Sequence, residues 1–415
     1  MSAGLAAVAV DGGDLTLASG LLALVRPALD CLAPGGVLAV LSVAPAARDD
    51  LPAWCRVEHH RYLGCESGAD GRDRHLLAPG GLATPRPPAQ RATALAAQRP
   101  LTAAASAAAA PTPPRASTAT GFAPRDAAVE PGGPAYPFTL LERAHVAPPE
   151  AAGLYDQAVA AQWDGGRDLP WDDATALEPA VEAAVAQVMT FLAENELAAL
   201  YVPARFLPRL HPAFAEVAMF LATQLADEAR HIDVFLKRAR LRGGPPSVSS
   251  AITSHSLLGL LAPDDFTEST FLLSVLGEGT FLDLLRFIEG HAPDSLTAEI
   301  ARRTRADEAR HVHFGLAHVR HALAHDATCA ARLEDAVRRR AAGLHGIGGV
   351  PARVQDALTL LAAGATAPRA VARGHEAFRA LLDTMHEGRI KRLQHAGFSA
   401  EQAETLSELH TPNFM

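Results

Sequence analysis

The hexapeptide "ADEARH" stands at Ala226–His231 and again at Ala306–His311. Both copies are set in apolar helical sequence, amid "MFLATQLA" (219–226) and "HVHFGLA" (311–317). On a helix, a Glu and a His three residues apart project from the same side. Glu228 with His231, and Glu308 with His311, therefore each form a carboxylate–imidazole half-site for a transition metal of intermediate softness. Charged surface faces pairing at i,i+3 are the alternative, but a solvated face has no need of one hexapeptide twice.

Two such helices facing each other supply two Glu and two His. A di-metal centre needs more carboxylates to bridge and neutralise its ions, and the helix before each motif carries them. The candidates are Glu194 and Glu196 in "FLAENELAAL" (191–200), and Glu278 in "SVLGEGTFL" (274–282). Val181, Val185, Val188, Leu192, Ala199 and Val202 define one apolar face of the first of these helices. At the helical angle per residue, Glu196 lies about 65° from the centre of that face and Glu194 about 135°. Glu196 is the expected ligand, and Glu194 reads as solvated or supporting. Glu278 sits between Gly277 and Gly279 in mid-helix, where each Gly costs about 1 kcal/mol relative to Ala. Space for a ligand beside the metal, or close helix packing, would explain the pair.

The order is then Glu196, Glu228-x-x-His231, Glu278, Glu308-x-x-His311. One Glu on each of two helices and one Glu-x-x-His on each of two others is the ligand pattern of di-metal carboxylate bundles. Over about residues 170–325 the chain resembles the ferritin-like di-iron carboxylate superfamily. The D-E-x-R-H wording is similar to hydroxylase subunits of bacterial multicomponent monooxygenases. Rubrerythrin-like proteins and the ribonucleotide reductase small subunit share the broader pattern. The resemblance implies a four-helix bundle, two Fe ions (or Mn, or mixed Mn/Fe), and reductive activation of O2. It further implies that Asp227 holds His311 and Asp307 holds His231 across the bundle, with Arg230 and Arg310 balancing charge.

Other residues near these motifs read as structural. His313 points off the ligand face, and His318 reads as a structural histidine. Glu289 caps or pairs, Tyr201 and Phe281 pack, and Trp163 and Trp171 form a packed strap leading into the bundle.

The rest of the chain falls into zones. Residues 1–80 alternate strand-like runs, "LAAVAV" (5–10) and "GVLAVLSV" (36–43), with helical stretches at 17–33 and at "DDLPAWC". The strand-like "RVEHHRYLGCE" and "RHLLAP" follow, giving β-α-β-α-β-β, a small α/β two-layer sandwich. Residues 81–135 are rich in Pro, Ala, Thr and Arg with no period, and read as a disordered linker. The domain from 136 to 415 is helical. Helices are expected over 179–206, 213–242, from Asp265 (with a capping box to Glu268) to "GHAPDS", over 296–325, 328–344 and 353–391. The fold class is mainly α, a ferritin-like four-helix bundle with additional C-terminal helices.

The stretch "LLALVRPALDCLAPGGVLAVLSVAPAARDDLPAWCRVEHHRYLG" resembles the TusA-like sulfur-carrier family, over about residues 5–80. That family carries an active cysteine at the start of its first helix, where this chain has Ala18-Ser19-Gly20-Leu21. Its absence makes the module non-catalytic, and Cys31 and Cys55 read as core.

Composition narrows the class. Net charge is -9, with 49% hydrophobic and 20% charged residues. That balance argues against a nucleic-acid partner, which calls for a basic stripe. There is no membrane span of about 20 apolar residues. Four cysteines without paired spacing fit a reducing cytoplasm. The expectation is a di-iron oxygenase or oxidase acting on O2 and a small organic substrate, possibly sulfur-containing or carrier-bound. An electron-donor protein and a homodimer are further expectations. The rival readings are a rubrerythrin-like peroxidase or oxidase, and a non-enzymatic iron-binding or storage protein.

Overall fold

The computed structural model describes residues 8–19, 21–30, 32, 35–80, 121–129, 138–344 and 349–410. Two compact units divide the chain, Met1–Tyr136 and Pro137–Met415. Most of the stretch read as a linker, and Cys31, lie outside the described residues.

The first unit runs β1 (Val8–Gly13), α1 (Leu21–Asp30), β2 (Leu38–Ser42), α2 (Ala47–Val57), β3 (Arg61–Ser67) and β4 (Asp73–Ala78). Its sheet has the order β1-β2-β4-β3, with β1 parallel to β2 and the other pairs antiparallel. Leu21, Val25 and Leu29 of α1 and Leu51, Trp54 and Cys55 of α2 pack with Leu38, Val40 and Leu77 of the sheet, a two-layer core. The sequence reading began a strand at Arg56. Arg56 and Val57 instead finish α2, His59 takes a positive φ of 58°, and the strand opens at Arg61. A left-handed residue is what reverses the chain there.

The second unit is helical: α3 (Ala151–Ala160), α4 (Pro179–Ala204), α5 (Ala215–Ala239), α6 (Ala251–Leu260) and α7 (Phe266–Thr270). The last of these runs on as a π-helical segment, Phe271–Glu278, into α8 (Gly279–His291). Then come α9 (Ser295–His325), α10 (Cys329–Gly343), α11 (Ala352–Ala363), α12 (Pro368–Ala396) and α13 (Ala400–Leu409). Local chemistry sets the ends. Pro179 opens α4, where its missing N–H is no loss. Asp265 accepts from the Glu268 amide at 2.7 Å, but the capping box stays half made, since Glu268 carries its carboxylate to Arg339. Asp294 caps α9 through the Thr297 amide at 2.6 Å.

Four long elements, α4, α5, the α7–α8 run and α9, surround the bundle core. α4 is buried on nearly every side. α5 and α9 each turn one stripe inward, Gln224, Asp227, Glu228 and His231 on the first and Thr304, Asp307, Glu308 and His311 on the second. Gly315 lets the π-helical segment come close to α9, because a Cβ there would stand 2.6 Å from Ser274 Cβ.

The expected single helix over 353–391 is two. Gly364 closes α11 with φ 64°, and Pro368 opens α12. A glycine in the left-handed region followed by proline is a stop and a restart.

Candidate metal centre

Glu196, Glu228, His231, Glu278, Glu308 and His311 meet inside the bundle, and each is no more than 2% exposed. They form two overlapping groups. Glu196, Glu228, His231 and Glu308 make one, and Glu228, Glu278, Glu308 and His311 the other, with ligand atoms in each within 4.8 Å of one another. Glu228 and Glu308 belong to both.

The oxygens of these two residues divide evenly. Glu228 sets Oε2 3.2 Å from His231 Nδ1 and Oε1 3.0 Å from His311 Nδ1. Glu308 sets Oε1 3.3 Å from His231 Nδ1 and Oε2 3.3 Å from His311 Nδ1. Glu196 Oε1 stands 3.9 Å from His231 Nδ1, on that side alone. Such a pattern gives two shared carboxylates and one carboxylate and one imidazole particular to each position.

The cluster does not satisfy itself. Glu196 Oε1, Glu228 Oε1, Glu278 Oε2, both oxygens of Glu308 and His311 Nδ1 are buried without a hydrogen-bond partner among the described residues. Orphaned buried carboxylate oxygens are expensive unless a cation takes them. Four carboxylates with two neutral imidazoles carry the charge that two divalent cations balance. Electrostatics point the same way. Burial and the charges of Glu228 and Glu308 push Glu196 well above the usual carboxylate range, and burial and Glu308 do the same to Glu278. Against the opposing effect of burial, His311 and His231 hold Glu228 below it. Without a cation this site must hold protons instead, so metal binding releases them.

Behind the imidazoles lies a second layer. His231 Nε2 donates to Asp307 Oδ2 at 3.1 Å, and His311 Nε2 to Asp227 Oδ2 at 3.4 Å. With Nε2 committed as donor, each Nδ1 turns its lone pair to the cluster. Arg230 donates to Asp307 at 3.0 Å and also pairs with Asp227. Arg310 donates to Asp227 at 3.3 Å and also pairs with Asp307. Two guanidiniums thus tie two carboxylates into a neutral set.

Sequence reasoning missed how the segment after α3 enters this layer. Gln162 Nε2 donates to Asp227 Oδ1 at 3.0 Å, and Trp163 Nε1 to Asp307 Oδ2 at 2.7 Å. Arg230 lies over the Trp163 ring at 4.7 Å. Trp163 is therefore tied to Asp307, the partner of His231, besides packing. Trp171 donates to the Gly165 carbonyl at 2.7 Å and only braces the strap. Gln224 was also overlooked, although it sits one turn before Glu228 on the inward stripe. It donates to Glu278 Oε1 at 3.0 Å. Gln224 and Ser274 line a cavity of about 10 Å³ with Leu221, Leu273 and Phe314, room for one water-sized molecule.

The remaining residues fall outside the centre. Glu194 is only partly buried and is absent from both ligand groups. His313 is exposed, while His318 is buried against Thr267 Oγ1 at 3.0 Å. Glu289 pairs with Arg305 at 2.8 Å. Phe281 packs near Phe191, but Tyr201, expected to pack, is 58% exposed. Gly279 answers to a different neighbour than a metal, since a Cβ there would stand 2.6 Å from Arg392 Nε.

No protein-family model and no curated protein matches the chain. Among solved structures it is similar to R2-like ligand-binding oxidases. A variant with an aerobically reconstituted Mn/Fe cofactor is 16% identical with a TM-score of 0.46, over 60% of this chain and 94% of that one. One with a metal cofactor after photoconversion is 14% identical, TM-score 0.42, over 63% and 94%. A variant with an aerobically reconstituted Fe/Fe cofactor is 14% identical, TM-score 0.43, over 63% and 94%. At that level of similarity, the chemistry of this chain rests on its own buried carboxylates and histidines.

Proposed function

We propose that the helical unit is a ferritin-like di-metal carboxylate protein, an O2-dependent oxidoreductase that oxidises a small organic substrate. One observation carries the reading: Glu228 and Glu308 are shared by two buried ligand groups, and Glu228 Oε1 and both Glu308 oxygens have no hydrogen-bond partner among the described residues. The donor set, four carboxylates and two imidazoles, suits iron or manganese better than a thiophilic metal. Glu196 and His231 would complete one position, Glu278 and His311 the other.

Two iron ions held there would supply the electrons that reduce dioxygen. The chain's own residues do the rest. Asp227 and Asp307 fix the imidazole rings, and Arg230 and Arg310 fix the aspartates. Gln224 holds one oxygen of Glu278 and so orients the other. Phe220, 6.5 Å from the His311 ring, and Phe235, 6.3 Å from the His231 ring, help keep bulk water out. The adjoining cavity takes one small molecule, so a larger substrate requires the π-helical wall or its neighbours to move. Electrons from outside the chain imply a donor protein.

In the same reading, residues 1–80 are a TusA-like module without sulfur-carrier activity, 81–135 a linker, and 136–415 the oxidising domain. Ser19 occupies the region of the missing thiol and spends its hydroxyl on the Thr16 amide at 2.7 Å. Burial pushes the Cys55 thiol up to about 11, away from thiolate.

The test is oxygen consumption by anaerobically Fe(II)-loaded protein. Uptake in proportion to bound iron, accelerated by a reductant, is expected. Iron bound tightly without any uptake of O2 would leave a metal-binding protein and remove the enzyme.

A further inference from the structure

Outside the two ligand groups, but beside Gly279, the sequence neighbour of Glu278, positive charge gathers where α8, α12 and α13 meet. Arg389 is 8% exposed and His410 6%. Arg392 lies three residues beyond Arg389 on α12, with its side chain 12% exposed. Its Nη1 donates to Asp283 Oδ2 at 3.1 Å. Its Nε and Nη2 are buried with no hydrogen-bond partner among the described residues. Those two atoms form the side-on edge of the guanidinium, which matches two oxygens of one carboxylate or phosphate.

The surroundings keep this edge in place. A Cβ on Gly279 would stand 2.6 Å from Arg392 Nε, and one on Gly388 would stand 3.0 Å from Nη1. Both helices therefore give up a side chain where the guanidinium lies. His410 Nε2 is also buried with no hydrogen-bond partner among the described residues. Arg389 spends its Nε on Ser407 Oγ at 3.3 Å, and among the described residues no ion pair reaches it. Burial, with the charges of Arg389, Arg340 and Arg392, holds His410 well below the usual histidine range and so neutral. Burial and the charge of Arg392 bring Arg389 down to about 10. Burial lowers the basicity of both guanidiniums, and Asp283, paired through Arg392 Nη1 alone, leaves the side-on edge of Arg392 for a further anion.

We propose that Arg392, Arg389 and His410 form a binding site for a small oxyanion, a phosphate or carboxylate group. Arg392 takes two of its oxygens with the side-on edge. Arg389 supplies charge, and His410 offers a neutral polar contact. This inference is independent of the metal chemistry.

Titration of the full-length, iron-loaded protein tests it. Inorganic phosphate and acetate are added separately, with sodium chloride at matched ionic strength as reference, while heat of binding and Tm are followed. Saturable binding with a rise in Tm beyond that of chloride is expected for one of the two. Phosphate alone identifies a phosphate site, and acetate alone a carboxylate site. Arg392→Lys keeps the charge but loses the edge, and should weaken binding by about tenfold. Arg389→Gln should weaken it as well, and serves if the first variant does not fold. A response to both anions no larger than to chloride, or unchanged binding in the folded variants, overturns the site. Iron content measured on the same samples keeps this outcome separate from that of the metal centre.

Discussion

Asp307 on α9 reaches across the bundle and sets Oδ2 3.1 Å from Nε2 of His231 on α5. Asp227 returns the contact from α5 to His311 at 3.4 Å. Each hexapeptide thus supplies a carboxylate and an imidazole to the buried cluster and an aspartate to the other copy's histidine. Repetition of six residues, rather than of Glu-x-x-His alone, follows from that exchange.

Replacing either aspartate should loosen one imidazole while leaving all six ligands in place. Asp307→Ala is expected to lower metal affinity by about 10- to 100-fold, and Asp227→Ala by a similar factor. Competitive titration against a chelator measures this. Affinity equal to that of the unmodified protein in both variants would make the aspartates bystanders.

Helical phase distinguished Glu196 from its neighbour, and their substitutions should differ sharply. Glu196 is 2% exposed and belongs to the His231 group. Glu196→Ala should lose roughly one ion, because one position is left with its imidazole and two shared carboxylates. Glu194→Ala should keep both. Metal analysis of the two proteins side by side decides between them, and the reverse result would overturn the phase argument.

Much of this centre was legible because helical spacing converts directly into direction. A Glu and a His three apart share a side whatever the partner, and Glu196 follows from its apolar neighbours. Gln162 and Trp163 were not legible, since a loop reaches Asp227 and Asp307 only through tertiary packing. Nor was the π-helical segment ahead of Glu278, which packs against α9 where Ser274 meets Gly315. The break between α11 and α12 is a different case. Gly364 and Pro368 announce it in local terms, a left-handed glycine and then a proline that opens the next helix.

Acid sensitivity should trace in part to His318. Burial pushes its pKa down to about 3, against about 6.5 in an unfolded chain. Below about pH 6.5 the unfolded state takes the proton first. Stability is therefore complete above that pH and falls as pH drops toward 3, by up to about 1.4 kcal/mol per unit from this residue. His318→Gln keeps a hydrogen-bonding group for Thr267 and should flatten this slope between pH 6.5 and 4. Urea unfolding across that range supplies the comparison, and parallel slopes in the two proteins would contradict it.

Arg238 is fully buried and ties α5 to the neighbouring elements, donating to Glu182 at 2.6 Å and to Asp294 at 2.7 Å. Asp294 is itself the cap of α9. Arg238→Ala leaves a buried carboxylate unpaired and should cost about 3–5 kcal/mol. Thermal and chemical unfolding would show it. A loss below about 1 kcal/mol would mean that water reaches the carboxylate easily.

The proposed chemistry requires a pair of ions between α4, α5, the π-helical segment and α9. Anaerobic reconstitution with Fe(II), removal of unbound iron and metal analysis test it most directly. About two iron ions per chain are expected, with a sharp loss in both His231→Ala and His311→Ala. Iron absent from the unmodified protein, or retained in full by both histidine variants, would contradict it.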